Sequence, residues 1–145
     1  MKHLRQLLLF FLICAVIAGI IFAVLAINGF RGLPQDAYAS DWTAIFIIEH
    51  LKATENTWPR SWADLQDEFD RMAEPSHYAW SFTELQQRVD LQFHLTSEQV
   101  RDADPPVEAI RLTSGRRVSY DGDPNLNVRD YLRTGKGGME SIRRK

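Results

Sequence analysis

The chain has 145 residues, 17 of them basic and 19 acidic, for a formal net charge of −2 at pH 7. Beyond its apolar N-terminal stretch, that length holds one domain with a single core and not two. From Asp36 to Val128, 17 acidic residues stand against 8 basic ones, a net of −9, whereas Arg129 to Lys145 carries 6 basic and 2 acidic, a net of +4. An acidic domain repels a phosphate backbone, which argues against nucleic acid as its main partner.

Leu7 to Ile27 carries no charged or strongly polar side chain. At 1.5 Å per residue such a run reaches roughly 31 Å, the thickness of a bilayer's hydrocarbon core. It predicts a transmembrane helix over 7–27, preceded by a short N-terminus, 1–6. The rival reading is a cleaved signal peptide, with Lys2, His3 and Arg5 as its basic region. The apolar run exceeds the usual length of such a leader, which favours a retained anchor. Lys2 and Arg5 precede the run; Arg31 comes after it, followed by acidic Asp36 and Asp41. The positive-inside rule then puts the N-terminus in the cytoplasm and the C-terminal domain outside the cell membrane, as a single-pass protein. Ala15, Gly19 and Ala23 recur every fourth residue, a small-residue face through which two spanning helices could pair as a homodimer. Cys14, the only cysteine, lies in this run, so no intrachain disulfide can form.

Asn28 to Pro34 is a breaker segment, a linker over 28–34. Pro34 fits the first turn of a helix running to about Ala53, with Ala44, Ile47, Ile48 and Leu51 at helical spacing and Ile45 and Phe46 widening the apolar face. That helix is expected to be the central buried element. Thr54 to Arg60 is a polar loop. Ser61 reads as an N-cap with Asp64 as its capping-box partner, opening a helix to about Met72 that carries Trp62, Leu65 and Phe69. Ser81 and Glu84 form a second capping box ahead of a short helix over Phe82–Gln87. Val89, Leu91, Phe93 and Leu95 then alternate with polar residues, the pattern of a half-buried strand. Val107 to Thr113 reads as a second strand, Ser114-Gly115 as a turn, and Arg116 to Tyr120 as a third strand. Asp121 to Asn125 is a tight turn, and Asn127 to Arg133 a last helix. Residues 134–145 read as a disordered basic tail, solvated or in touch with anionic lipid or an acidic protein surface. Helices first and strands after is the α+β order. The expectation is a transmembrane helix followed by a domain over 35–133, with two to three helices packed on a three-stranded antiparallel sheet.

The sequence offers little catalytic chemistry. His3, His50, His77 and His94 are widely separated, with no zinc-ligand spacing. Neither G-x-S-x-G nor S-x-x-K is present. Asp67, Glu68 and Asp70 read as a solvated helix flank. Gly135, Gly137 and Gly138 do not come after a strand and make no phosphate-binding loop. Trp42, Trp58, Trp62 and Trp80 read as core packing. One metal candidate stands out. Asp121, Asp123 and Asn125 place oxygen ligands at alternate positions, with Asn127 and Asp130 after them, as in the first half of a calcium loop. Leu126 occupies the position where such a loop needs glycine, Leu132 that of its bidentate acid, and Pro124 stiffens the middle. A plain turn uses the same residue types for backbone reasons.

Ala44–Leu65 (AIFIIEHLKATENTWPRSWADL) resembles the helix-loop pattern of type IV pilins and type II secretion pseudopilins, with Trp58, Pro59 and Leu65 at the matching aromatic, proline and leucine positions. The resemblance implies an N-terminal spanning helix, a second helix after it, a small C-terminal antiparallel sheet, and a role as a subunit of a secretion or pilus system. The chain departs from the family in its processing signal. Met1–Leu9 has no glycine, and Leu7–Ile27 has no glutamate.

The functional expectation is a non-enzymatic, membrane-anchored domain that needs no cofactor and binds another envelope protein while its helix contacts the lipid bilayer. Two alternatives stand beside it: a divergent pseudopilin-like subunit, and a hydrolase whose catalytic residues, such as His94 or Asp121, are assembled from distant positions.

Overall fold

The computed structural model describes residues 14–25, 33–73 and 80–137. The chain divides into two units, Met1–Gln35 and Asp36–Lys145. In the first unit, residues 14–25 form helix α1. Ala15, Gly19 and Ala23 lie on it at four-residue spacing, and large apolar side chains such as Phe22 and Leu25 are exposed.

The second unit is built around α2, Leu33–Ala53. Every residue from Trp42 to Ile48 on this helix is buried, so it is covered on all sides rather than along one stripe. Such all-round apolarity marks an interior helix. After it, Glu55 and Asn56 adopt positive φ in the turn that reverses the chain. Asp64 accepts from the backbone N–H of Arg60 at 2.6 Å and of Ser61 at 3.2 Å, holding a single 3-10 turn, Trp62–Leu65, that leads into α3, Gln66–Ala73. Edge-on and tilted ring contacts join these helices: Phe46 lies 5.5 Å from Phe69, and Phe69 lies 5.0 Å from Phe82 on α4, Phe82–Arg88. The expected box at the start of α4 is made. Glu84 N–H donates to Ser81 Oγ at 3.2 Å, and Ser81 N–H donates to Glu84 Oε2 at 2.8 Å.

Strand β1, Val89–Leu91, pairs antiparallel with β2, Ile110–Leu112, in the register Val89–Leu112, Asp90–Arg111, Leu91–Ile110. Between them runs α5, Ser97–Asp102, capped by Thr96, whose hydroxyl accepts from Gln99 N–H at 3.2 Å. The last helix, α6, Pro124–Thr134, packs on α5 and ends at Gly135 in the left-handed conformation, φ 69°, whose N–H reaches Tyr131 O at 2.7 Å. The core gathers Phe46, Ile47 and Leu51 of α2, Leu65, Leu85, Val89, Val100, Ile110 and Val128.

Two expectations are corrected here. The sheet has two strands and not three, on a mostly helical domain. Its first strand is shortened by local hydrogen bonds. Trp58 Nε1 donates to Gln92 O at 3.1 Å, and Leu95 N–H turns back to Gln92 O at 3.4 Å, so β1 stops where the alternating pattern runs on. The third strand is absent because the chain over Arg116–Tyr120 turns its polar groups towards α2 side chains instead of towards β2. The second correction concerns the span. Among the described residues no helix is long and apolar enough to cross a membrane. Of the expected span Leu7–Ile27, residues 14–25 are described, and they are helical. The other positions of the expected span, 7–13 and 26–27, lie outside the described residues. Among the described residues the single-pass anchor, and the membrane localisation and orientation drawn from it, are therefore not borne out.

Candidate functional site

The site begins with three polar residues on α2. Asp36 is buried and accepts from Ser114 Oγ at 2.7 Å and Arg116 at 3.3 Å, with Arg88 at 3.7 Å. Ser40 Oγ donates to Val118 O at 2.8 Å. Asp41 accepts from the Ser119 hydroxyl and from Tyr120 N–H, the latter at 2.8 Å. Positions 36 and 40 are i, i+4 neighbours on one helix face, and Asp41 follows on the adjoining face. They clamp segment 114–120 onto α2. Burial holds the Asp41 carboxyl above its ordinary value, outweighing the bonds from Ser119 and Tyr120 that pull it down.

With this segment held by α2, the outer edge of β2 pairs with no third strand. Thr113 N–H bonds Arg88 O and Gln92 N–H bonds Ala109 O, so strand alternation makes Asp90 and Arg111 the bonded pair between them. Ile110 and Leu112 therefore turn their backbone groups away from β1. Asn125 satisfies those of Ile110: its Oδ1 accepts from Ile110 N–H at 2.7 Å, and its Nδ2 donates to Ile110 O at 3.1 Å. One amide side chain thus stands in for one residue of a neighbouring strand. Leu112 O accepts from Gly115 N–H at 2.9 Å, and among the described residues no hydrogen bond reaches Leu112 N–H.

Beside that edge lies an open groove of about 810 Å³, lined by β2, Arg116–Ser119, Pro105, Pro106 and Ser40. Its arginines are held by two carboxylates, Glu108 in the lining and Asp36 outside it. Glu108 is shared by Arg111, at 3.6 Å, and Arg117. Asp36 is shared by Arg116 and Arg88, and the Arg88 guanidinium also lies 4.7 Å from the Trp80 ring centroid. Each of these carboxylates has two guanidiniums. Asp123 also lines the groove, so the lining carries three guanidiniums, of Arg111, Arg116 and Arg117, against two carboxylates, of Glu108 and Asp123, a small positive excess on a domain whose sequence is acidic.

The expected metal ligands are occupied otherwise. Asp123 caps α6 by accepting from Asn125 N–H at 2.8 Å, and Asn125 is spent on β2. Asp121 is exposed, and its backbone carbonyl accepts from Asn127 Nδ2 at 3.2 Å. Asp130 pairs with the neighbouring Arg129 at 3.3 Å. Among the described residues no group of three or more His, Cys, Asp or Glu could hold a metal ion. His94 lies in the turn after β1, away from the groove lining. The aromatic residues of the expected core pack as rings, with Trp62 5.8 Å from Phe82 and 5.7 Å from Phe93.

A second polar feature runs against the sequence pattern. Glu68, expected on a solvated flank, is 5% exposed, and its Oε2 has no hydrogen-bond partner. His50 Nδ1 stands 3.8 Å from it and Arg71 lies 3.9 Å from Oε1, both beyond hydrogen-bonding distance. The groove escapes the sequence as well, because it depends on which of two partners, β2 or α2, takes the hydrogen bonds of residues 114–120. The one legible signal is the spacing of Asp36, Ser40 and Asp41. No family model matches the chain, and neither curated proteins nor solved structures provide a match.

Proposed function

We propose that the unit Asp36–Lys145 is a non-enzymatic protein-binding module that receives a partner polypeptide in the groove beside β2. One backbone donor left on the outer edge of β2 carries this reading. That donor is Leu112 N–H, next to a concave surface of peptide dimensions, and sheet edges of this kind add a strand from another chain. The groups that line the groove support a binding role over a catalytic one. Glu108 is paired with arginines, Asp123 caps a helix, and the hydroxyls of Ser40 and Ser119 are hydrogen-bonded.

Photo-crosslinking in cells tests this. A photoreactive residue at 117 lies in the groove wall. One at 55 lies beyond the C-terminal end of α2, roughly 20 Å from Ser40 along the helix. The expected result is a discrete protein adduct from 117 and none of the same mass from 55. Equal adducts from both positions, or none from either, would sink the proposal.

A further inference from the structure

Resting on that reading, we infer that the occupant of the groove is an extended acidic segment of a partner protein, lying beside β2 with its carboxylates on the guanidiniums of Arg111 and Arg117.

Charge complementarity points to this occupant. Between Asp36 and Val128 the chain carries 8 basic residues against 17 acidic ones, yet in the lining of this groove the balance reverses, with Arg111, Arg116 and Arg117 against Glu108 and Asp123. Arg111 and Arg117 converge on the single carboxylate of Glu108. Two guanidiniums on one carboxylate repel each other and hold donors in excess, because each guanidinium presents five N–H groups and one carboxylate accepts along about four directions. A second carboxylate relieves the repulsion and takes up the spare donors in the planar geometry arginine favours. The Arg111 and Arg117 side chains are 52% and 86% exposed, so an incoming acid reaches them without prising open the core.

Backbone geometry fixes the form of the segment. Residues in an added strand meet β2 at every second position, and Leu112 supplies the free N–H at one of them. Asn125 closes the next position at Ile110 and sets the end of the register. Arg111 points to the exposed face of the sheet, as the alternation of buried Ile110, exposed Arg111 and buried Leu112 requires. An acidic side chain on the same face of the added strand meets it.

The test uses the full chain and three probes: a fluorescent octapeptide alternating threonine and glutamate, its threonine–lysine counterpart, and single-stranded oligothymidine. Fluorescence anisotropy should show binding of the glutamate peptide alone. Binding should weaken about tenfold or more in Arg111→Glu/Arg117→Glu, the scale of losing two charge pairs and gaining repulsion. Both side chains are exposed, but Arg111→Glu would stand opposite Asp90 and beside Glu108, so the charge-neutral Arg111→Gln/Arg117→Gln is the second variant: it adds no repulsion, should keep a Tm within a few degrees of the wild type, and should also weaken the glutamate peptide. The Leu112 amide resonance should shift on titration with the glutamate peptide. Equal binding by either double variant, binding of the lysine peptide, or binding of oligothymidine in place of the glutamate peptide would overturn the inference. If the groove still yields its crosslinked adduct while the glutamate peptide does not bind, only the acidic occupant fails. If position 117 yields no adduct, the binding module fails with it.

Discussion

Asn125 takes the place of a strand residue with one side chain, and its loss should be felt at Ile110. Alanine there leaves a backbone N–H and C=O of a buried residue without partners, at a cost of about 1–3 kcal/mol. Urea denaturation of Asn125→Ala measures this, and a change below a few tenths of that range would show that water replaces the amide. Asp41 makes a prediction about pH. Burial raises its carboxyl above the ordinary 3.8, so the folded chain holds that proton more firmly than the unfolded chain. A raised folded value contributes stability that is fully present below the unfolded value and is lost as pH rises through the folded one. Acidification from the raised value towards 3.8 should therefore stabilise the wild type relative to Asp41→Asn. Denaturation midpoints of both proteins across that window give the comparison, and parallel curves would contradict it. Glu68 is the opposite kind of residue, a buried carboxylate oxygen that nothing bonds. Replacing it by the apolar Met, of similar length, removes a desolvated polar group, and Glu68→Met should be neutral or stabilising by about 1–2 kcal/mol in the same assay.

At the scale of elements, capping and periodicity are the readable part. Helix α2 runs from Leu33 to Ala53, close to the span from Pro34 that its proline and apolar spacing foretell. The Ser81–Glu84 box marks α4 correctly because both bonds are local. Thr96 and Gln99 form the same box ahead of α5, a signal present in the sequence but masked by the strand-like alternation that runs up to Thr96. Replacing Thr96 by alanine should cost about 1 kcal/mol by thermal or urea unfolding, as helix caps do. The third strand fails for a different reason. The turn at Gly115 forms, with φ 73°, but the path of the next five residues is decided by long-range competition that no local pattern encodes. Asp36, Ser40 and Asp41 win the segment for α2. Asp36 is the strongest of these clamps, and Asp36→Ala leaves two guanidiniums facing each other. Both are about one-third exposed, so the loss should be roughly 2 kcal/mol, below that of a fully buried pair. A larger loss of groove-directed crosslinking than of global stability would place the effect in segment 114–120, as expected.

For the molecule as a whole, net charge points away from nucleic acid and says nothing of the local reversal of sign at the groove, since that arises only when distant arginines meet. The long apolar run suggests an anchor, and the helix described over residues 14–25 does not supply one. There remains an acidic domain with a positive groove along an open strand edge. Whether that edge is open can be read directly from backbone hydrogen exchange of the full chain. Arg111 N–H, paired with β1, should exchange slowly, and Leu112 N–H, one residue on, should exchange fast in the free protein. Added alternating threonine–glutamate octapeptide should slow Leu112 at least about tenfold while leaving Glu55 unchanged. A Leu112 amide already as protected as Arg111 in the free chain would mean that the edge is closed, and would contradict the account.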